Sequence, residues 1–260
     1  MTLIDYNGDD RVISNYDMLQ LIKLQGKQQP VYSHIPTLNC AVEGFTGGEL
    51  IVLTGVTGHG KTLFAQSLTD HLCKQQEYPL WFTFEMPPRE FLHCFGDTTY
   101  CEDMVFYMPR ELKANDIEWL LERCREAREK YHTKVVFIDH LHFLFDLYTY
   151  KNPSLTIGSL VRKLKQFAIA NDMIIFLICH VHKAKLETPE DASYDLIRDS
   201  GMISCEADTI LFVYRQVDKA GLSKSFVIVE KARRTGIMHK AIPIQKVGNF
   251  LVEREKEHGT

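Results

Sequence analysis

The amino-acid sequence predicts an α/β fold, with a mostly parallel central sheet, helices on both faces and a β-rich carboxyl-terminal end. Apolar runs without polar alternation indicate strands that are buried on both faces. Segments with helical periodicity separate the earlier runs, as the crossovers between parallel strands require. No helical segment separates the last runs. The chain has 260 residues, 45% hydrophobic and 25% charged, a composition that excludes disordered and fibrous chains.

The first predicted element is a short helix, capped by Ser14 or Asn15. Its one-sided apolar stripe consists of Tyr16, Leu19, Ile22 and Leu24. The helix either packs on its own core, frays, or packs on a neighbouring subunit, and the sequence leaves these alternatives open. We expect an amino-terminal segment over residues 1–34, which contains this linker helix, and a single domain over residues 35–260.

Strands and helices then alternate along the domain. The predicted strands are ELIVLTG, PLWFTFEMP, KVVFIDHLHFLF, DMIIFLICH, ADTILFVYR and KSFVIVEKAR. The predicted helices, each apolar on one face, are TLFAQSLTDHLCKQQ, LKANDIEWLLERCREAREKY and IGSLVRKLKQFAIAND. The last part of the chain, from KSFVIVEKARRTG to AIPIQKVGNFLVE, predicts two late strands or a hairpin with no helix between them.

Charge, cysteines and hydropathy limit the classes of function. Thirty Lys and Arg against thirty-four Asp and Glu give a net charge of −4, so any contact with nucleic acid must be local. Seven cysteines are scattered without a C-x-x-C pair, which predicts free thiols in a reducing compartment. The amino terminus does not resemble a signal peptide, and no apolar run approaches a membrane span. We therefore expect a soluble, cytoplasmic protein without a membrane partner.

A phosphate-binding motif provides the strongest functional signal. Residues 55–62 read GVTGHGKT, a complete G-x-x-x-x-G-K-[ST] between a strand and a helix. Glycines let backbone N–H groups surround phosphates, and the helix N-terminus adds a favourable dipole. Lys61 is expected to reach the outer phosphates and the Thr62 hydroxyl to ligate Mg²⁺. The predicted nucleoside triphosphate site consists of Gly55, Val56, Thr57, Gly58, His59, Gly60, Lys61, Thr62 and Leu63.

Two carboxylates follow predicted strands. Asp139 ends the run VVFI, where a second Mg²⁺-organising carboxylate belongs in folds with a phosphate loop; a simple loop cap is the alternative. Glu85 follows WFTF, a strand that we expect next to the strand carrying the phosphate loop. There a carboxylate can orient the attacking water or accept its proton. Strand-end glutamates are common, so its position alone makes Glu85 only a candidate.

Four further segments occur in order along the chain: FTFEMPPREF, VVFIDHLHFL, LIRDSGMISCEADTILFVYR and EKARRTG. With the phosphate loop they resemble the RecA-like P-loop NTPase motor of the DnaB-type ring-shaped replicative helicases, over residues 35–252. The resemblance implies a helicase that hydrolyses ATP, or another NTP or dNTP, with Mg²⁺. It also implies a homo-oligomeric, hexameric ring on single-stranded DNA during DNA replication. We expect a bacterial or phage-infected host cell rather than an organelle.

The same resemblance implies roles for individual residues. Glu85 would be the catalytic base, Asp139 the Walker B carboxylate, and His180 the strand-end sensor of the γ-phosphate. Without the resemblance, His180 would be interpreted as a hydrogen-bonded loop histidine. Many bacterial members carry Gln at this position, and the phage and mitochondrial (Twinkle-like) helicase-primase branch carries His, so the sequence looks closer to that branch. Three other histidines are interpreted as structural: His140, His142 and His182.

Lys231 and Arg233 match the family's pair of cations that reaches a neighbouring subunit's nucleotide. A cation supplied in trans stabilises the charge on the transferring γ-phosphoryl group and contributes about 10³–10⁵-fold in rate. Arg234 leaves the choice of arginine open, although spacing favours Arg233. A solvated basic turn is the alternative interpretation.

A long polar stretch between His180 and the fifth strand is expected to form loops that face the pore of the ring. A few cations per subunit, repeated around a ring, can hold single-stranded DNA despite the net negative charge. The stretch is also acidic, so a solvated linker is the alternative. The predicted DNA contacts are Lys183, Lys185, Arg198 and Gly201.

The sequence differs from the DnaB pattern at its amino-terminal end. We expect a motor that lacks the N-terminal helical domain and any primase region, and that uses a separate primase or loader. The main alternative function is a RecA-like or KaiC-like ATPase that acts in recombination or signalling. A small-molecule kinase would need an arginine-bearing lid, which the sequence does not offer. A non-hydrolysing accessory protein would not need Lys61, Thr62, Glu85 and Asp139 together.

Overall fold

The computed structural model describes residues 7–8, 10–25, 29–96, 104–144, 153–181, 186, 188–197, 200–217 and 223–254. The helices within these ranges are α1 (Asn15–Gln25), α2 (Pro36–Val42), α3 (Lys61–Lys74), α4 (Pro88–His93), α5 (Ile117–Tyr131), α6 (Pro153–Asn171) and α7 (Ser200–Glu206). The strands are β1 (Leu50–Thr54), β2 (Leu80–Thr83), β3 (Val135–Asp139), β4 (Ile174–Ile178), β5 (Thr209–Val217), β6 (Ser223–Ala232), β7 (Lys240–Val247) and β8 (Phe250–Glu253). Short 3₁₀ helices lie at Leu141–Leu144, Pro189–Asp191 and Tyr194–Leu196.

All of these strands form one sheet, in the order β2-β3-β4-β1-β5-β6-β7-β8. The pairs from β2 to β5 are parallel, and β6, β7 and β8 are added antiparallel. The prediction of a mostly parallel sheet with a β-rich end is confirmed. Since an antiparallel hairpin needs no crossover, the absence of a helical pattern after the fifth strand correctly indicated this change.

The expected position of one strand is wrong. β2, which precedes Glu85, lies at the edge of the sheet, and β3 and β4 separate it from β1, the strand before the phosphate loop. The first four strands are fully buried along their whole length, so their apolar patterns carry no information about order. The free edge of β2 is covered by Tyr107, whose carbonyl accepts a hydrogen bond from the Trp81 N–H at 2.8 Å.

Alternate residues of the strands pack into two large hydrophobic cores, one on each face of the sheet, and Ala192, Phe212, Tyr214 and Ile228 form a smaller third cluster. Helices α2, α3 and α4 cover the first core, which contains Phe64, Trp81 and Phe137. Helices α5, α6 and α7 cover the second. Each fully buried Leu, Ile or Phe contributes about 1.5–3 kcal/mol, so the expected two-faced burial is the main stabilisation of the domain.

Helix α5 forms as its sequence indicates. It begins after Asp116, whose side chain caps the helix by accepting a hydrogen bond from the Trp119 N–H at 2.9 Å. Its inward face contains Leu120, Leu121 and Cys124, all buried. The helix ends at Tyr131, and the next residue, His132, has a left-handed φ of 56°.

A close helix contact positions α7. A Cβ atom on Gly158 of α6 would lie 2.7 Å from Met202 Cγ and 2.9 Å from Met202 Cβ of α7. The two helices approach closely because this position carries no side chain. Ile203 is buried on the same side. Gly201, expected in a loop, therefore lies in a short helix that is packed against the domain.

The amino-terminal helix is confirmed, and Ser14 caps it by accepting a hydrogen bond from the Asp17 N–H at 3.1 Å. Its apolar stripe is not buried by the described part of the chain: Tyr16, Leu19, Ile22 and Leu24 are each more than half exposed. Packing on its own core is therefore not observed. None of the described helices is long and apolar enough to cross a membrane.

Cysteines in the described part of the chain are free thiols, as predicted. Three of them are buried: Cys73, Cys124 and Cys179. Three others are exposed: Cys40, Cys94 and Cys205.

Strand β8 is fastened to the start of the domain and to α3. The His34 Nε2–H donates to the Leu251 carbonyl at 2.6 Å, and the Leu251 N–H donates to the Ser67 hydroxyl at 2.7 Å. The Thr37 N–H donates to the Glu253 carboxylate at 3.0 Å. Burial lowers the pKa of His34 from 6.5 to about 4, because the charged imidazolium would lose its hydration.

We predict that acid destabilises the domain through His34. Between pH 6.5 and about 4 the unfolded chain binds a proton at His34 that the folded chain does not, so the free energy of unfolding falls as the pH is lowered. Over this whole pH range, protonation of His34 lowers the free energy of unfolding by about 3 kcal/mol. His34→Gln retains a donor for the Leu251 carbonyl and should flatten this part of the profile in urea titrations. His132→Asn, which removes an exposed histidine, should not; equal profiles for all three proteins would contradict the prediction.

Candidate nucleotide-binding site

The phosphate loop connects β1 to α3 and has the conformation that its glycines predict. Gly55, Gly58 and Gly60 have φ values of 145°, 81° and 98°, which favour glycine. At Gly55 a Cβ atom would lie 2.2 Å from the Val213 carbonyl oxygen of β5. A larger residue there would force the loop away from the sheet. The loop is thus shaped to present its N–H groups at the start of α3.

Lys61 lies across the loop rather than in solvent. It is buried, and its Nζ donates to the Gly55 and Val56 carbonyls at 3.0 and 3.3 Å. Burial lowers its pKa, and the nearby Asp139 and Glu85 carboxylates oppose this shift. The ammonium group is therefore held at the mouth of the loop, where the outer phosphates of a nucleotide are expected.

Thr62 and Asp139 form the candidate Mg²⁺ site. The Thr62 hydroxyl donates to Asp139 Oδ2 at 2.9 Å. The other oxygen, Oδ1, is buried and has no hydrogen-bond partner among the described residues. Burial raises the pKa of Asp139 to about 6, and the Thr62 hydrogen bond opposes this shift. A hydroxyl beside such a carboxylate oxygen is a donor set that suits Mg²⁺, so these residues fit the predicted cation.

Glu85 and His180 lie together despite their distant positions in the sequence. They follow β2 and β4, which end at the same edge of the sheet, and His180 Nε2 lies 3.7 Å from Glu85 Oε2. Both line a cavity of about 220 Å³ with Thr57, Lys61 and Thr62. The structure thus brings the predicted base and the predicted sensor to the phosphate loop.

His140, which we interpreted as structural, contacts both of these residues. Its Nδ1 lies 3.3 Å from Glu85 Oε2 and 3.3 Å from His180 Nε2. The sequence feature that could have indicated these contacts is the position of His140 directly after Asp139. This position places His140 at the end of β3, between the ends of β2 and β4. His182 and the side chain of His142 lie outside the described residues.

Lys231 and Arg233 lie toward the end of the sheet where the parallel strands begin, whereas the phosphate loop follows the carboxyl end of β1. Lys231 is opposite Ile210 of β5, and Ile210 is opposite Val52 in the middle of β1. The Arg233 N–H donates to the Asp208 carbonyl, and the Asp208 N–H donates to the carbonyl of Leu50 at the beginning of β1, about 13 Å before Thr54. These cations therefore do not meet the phosphate loop within one chain.

Both cations bind the carboxyl-terminal end of α7. Lys231 Nζ donates to the Ser204 and Ala207 carbonyls at 2.7 and 2.9 Å, and burial lowers its pKa. Arg233 donates to the Cys205 carbonyl at 2.6 Å, yet half of its side chain is exposed. Through these hydrogen bonds, the two cations that are predicted to reach a neighbouring subunit's nucleotide contact the helix that carries Gly201.

Arg234 has a different environment. Its guanidinium donates to the Val42 carbonyl at 2.6 Å and also to the Gly44 carbonyl. It is thus fastened to the chain after α2 by hydrogen bonds that fix its orientation. Of the two arginines, Arg233 presents more of its side chain to solvent.

Sequence interpretation missed a basic groove beside the phosphate loop. This groove, of about 480 Å³, extends over β5–β8 from Gly58, His59 and Leu63 to Leu251. Its basic residues are Arg215, Lys224, Lys246 and Arg254. They come from different strands and turns, so no local pattern indicates that they share one surface.

The predicted DNA contacts are only partly described. Lys183, Lys185 and Arg198 lie outside the described residues. Gly201 is exposed on α7, at the end of the helix away from Lys231 and Arg233.

Comparison with known proteins identifies the family. Residues 98–247 match the model of the DnaB-like helicase C-terminal domain, which is more than half of the chain. The chain belongs to this family. The matched part includes Asp139, His180, Lys231 and Arg233, whereas the phosphate loop and Glu85 precede it and rest on their motif and geometry.

Curated relatives of this DnaB-like domain include replicative helicases. It is 24% identical over 242 residues to a probable plasmid replicative DNA helicase of Chlamydia psittaci, covering 80% of this chain and 52% of the relative. It is 23% identical over 252 residues to the replicative DNA helicase DnaB of Rickettsia conorii, covering 82% and 50%. The circadian clock oscillator protein KaiC of Picosynechococcus sp. is 32% identical over 147 residues, covering 50% and 28%. The chain thus spans about half the length of the helicases.

Solved structures agree on the fold. An ATPase domain of known structure matches with a TM-score of 0.75 at 16% identity, covering 93% of this chain and 99% of that one. A DnaB-like replicative helicase also matches with a TM-score of 0.75, at 15% identity, covering 97% and 69%. A KaiC-like protein of Pyrococcus horikoshii matches with a TM-score of 0.65 at 19% identity, covering 88% and 100%. The RecA-like α/β fold predicted for this DnaB-like domain is therefore confirmed.

Proposed function

We propose that this chain is the motor of a DnaB-type DNA helicase. It hydrolyses ATP, or another NTP or dNTP, as a homo-oligomeric, hexameric ring that moves along single-stranded DNA during DNA replication. One observation carries the proposal: the phosphate loop and Glu85 follow the carboxyl ends of the parallel strands, and Lys231 and Arg233 lie toward the end of the sheet where these strands begin. In a head-to-tail ring the surface of one subunit that carries Lys231 and Arg233 meets the surface of the next subunit that carries the phosphate loop.

Each residue at the loop has a proposed part in hydrolysis. Lys61 exchanges its loop carbonyls for the outer phosphates of the nucleotide. Thr62 and Asp139 hold Mg²⁺, which neutralises charge on the phosphate oxygens when it is bound. Glu85 orients the attacking water and accepts its proton. His180 contacts the γ-phosphate, and the basic groove over β5–β8 receives the nucleoside end.

The exposed stripe of α1 has a proposed place in the ring. An apolar helix face that the described part of the chain leaves exposed is suited to packing on a neighbouring subunit. We assign residues 1–34 to this linker and residues 35–260 to the motor. Gly201, with Lys183, Lys185 and Arg198, is proposed to contact DNA in the pore. A separate primase or loader is a proposed partner. This proposal is supported by the solved structure of a DnaB-like replicative helicase, which was reported together with the interactions of that helicase with primase.

One observation supports a particular branch of the DnaB-type helicases, and another supports the alternative function. The histidine at position 180 supports a place near the phage and mitochondrial branch. The similarity to the circadian clock oscillator protein KaiC supports the signalling form of the second candidate, an ATPase that acts in recombination or signalling rather than in unwinding.

Hydrolysis and unwinding assays distinguish these functions. NTP hydrolysis is measured with and without single-stranded DNA, and strand separation is measured on a forked duplex. A helicase motor should show stimulation by DNA and unwinding that needs hydrolysable nucleotide. Stimulation of hydrolysis by DNA without strand separation favours the recombinase-like alternative. Hydrolysis at the same rate with and without DNA favours the signalling ATPase.

A further inference from the structure

Glu85, His140 and His180 each offer one metal-ligating atom, and these three atoms lie within 4.8 Å of one another. His140 Nδ1 lies 3.3 Å from Glu85 Oε2 and 3.3 Å from His180 Nε2, and the third side of this triangle is 3.7 Å. Around a tetrahedral zinc ion with bonds of about 2.1 Å, ligand atoms lie about 3.4 Å apart. The three atoms therefore occupy positions that one ion can bind together.

We propose that Glu85, His140 and His180 form a binding site for a transition-metal dication of the Zn²⁺ class. Two imidazoles and one carboxylate suit Zn²⁺, Co²⁺ and related ions, whereas Mg²⁺ prefers oxygen ligands alone. The site is thus chemically distinct from the oxygen pair of Thr62 and Asp139. Water or a phosphate oxygen completes the coordination.

The sheet holds these three residues in place. They follow β2, β3 and β4, which are adjacent in the sheet and end at the same edge. The His140 ring also packs edge-on against Phe143, with centroids 4.8 Å apart. Such support keeps the imidazole oriented before an ion binds.

The site is accessible from solvent. Glu85 is 43% exposed, His180 22% and His140 13%, and Glu85 and His180 open onto the cavity beside the phosphate loop. An ion can therefore enter without unfolding any element of the domain.

Metal binding at this site inhibits hydrolysis, a consequence that rests on the proposed function. The ion occupies the carboxylate lone pair with which Glu85 would accept the proton of water. The phosphate loop contributes no ligand, so nucleotide binding continues. Zn²⁺ should therefore lower the hydrolysis rate at saturating Mg²⁺ and nucleotide.

The site is tested by titrating the full chain with Co²⁺, without nucleotide, and recording the visible absorption of the protein-bound ion. We expect an absorption band typical of tetrahedral Co²⁺ that Zn²⁺ displaces. His140→Ala, His180→Ala and the nearly isosteric Glu85→Gln should each weaken Co²⁺ binding at least about tenfold. His132→Asn serves as the matched control, since it removes an exposed histidine elsewhere, and should bind as the wild type does.

The outcomes separate the metal site from the proposed function. Thermal unfolding without metal shows whether each variant is folded. A wild type without the Co²⁺ band, or folded variants that all retain it, overturns the metal site even if hydrolysis is normal. If Co²⁺ binds as expected but Zn²⁺ leaves DNA-stimulated hydrolysis unchanged, the site is supported and the role of Glu85 as base is wrong.

Discussion

Lys61→Ala should abolish NTP hydrolysis, with a loss of at least about 10²–10³-fold, as expected when one preorganised charge-stabilising donor is removed. The ammonium is held at the mouth of the loop by the Gly55 and Val56 carbonyls, so it is already beside the phosphates when a nucleotide arrives. Alanine can neither bind these phosphates nor stabilise charge on the transferring group. The loss is measured as phosphate release at saturating nucleotide, together with nucleotide affinity.

Lys74→Ala is the matched control for this experiment. Lys74 lies on the same helix, α3, but is largely exposed and forms an ion pair with Asp70. Such pairs contribute at most about 1 kcal/mol, and its removal should leave hydrolysis within about twofold of the wild type. Hydrolysis by folded Lys61→Ala at the rate of Lys74→Ala would exclude the proposed role of the phosphate loop.

Local sequence was sufficient to predict much of the candidate site. The glycines around residues 55–60, the strand before them and the helix after them are contiguous, so the loop could be recognised as one unit. Asp139 could be predicted in the same way, because it directly ends an apolar strand. Both predictions depend on a short stretch of chain whose conformation is set by its own residues.

Strand order was not predictable in this way. β2 and β3 have the same burial on both faces as β1 and β4, so each could occupy several positions in a parallel sheet. The error in placing β2 also concealed His140, because its contacts depend on β3 lying between β2 and β4. The metal-ligating triangle is a property of the strand order rather than of any motif.

Side-chain partners from distant elements were equally inaccessible. The sequence places Lys231 and Arg233 in a basic turn, but only the fold shows that both bind carbonyls at the end of α7. These hydrogen bonds link α7, which carries the predicted DNA contact Gly201, to the two cations that are predicted to act on a neighbouring subunit's nucleotide. If Arg233 leaves the Cys205 carbonyl to reach a neighbour's phosphate, the end of α7 loses one of its hydrogen bonds. Nucleotide at an interface and DNA at Gly201 would then be energetically coupled.

Arg233→Ala should lower hydrolysis by about 10³–10⁵-fold, the contribution of an arginine supplied in trans, and should leave nucleotide binding intact. Binding is retained because the phosphate loop and Lys61, which are proposed to hold the phosphates, are unchanged in every subunit. Arg234→Ala is the matched comparison. It removes hydrogen bonds to the Val42 and Gly44 carbonyls, so it should lower the free energy of unfolding by about 1–3 kcal/mol while folded protein hydrolyses normally.

Mixed oligomers test whether the arginine acts across an interface. A ring that contains both Lys61→Ala and Arg233→Ala subunits has some interfaces with an intact loop from one variant and an intact arginine from the other. Because each variant lacks only one of the two contributions, mixing two inactive proteins should restore part of the hydrolysis. An arginine that acted within its own chain would give no restoration, since neither variant alone has a complete site. Wild-type hydrolysis by Arg233→Ala with single-stranded DNA present would exclude any catalytic contribution from Arg233.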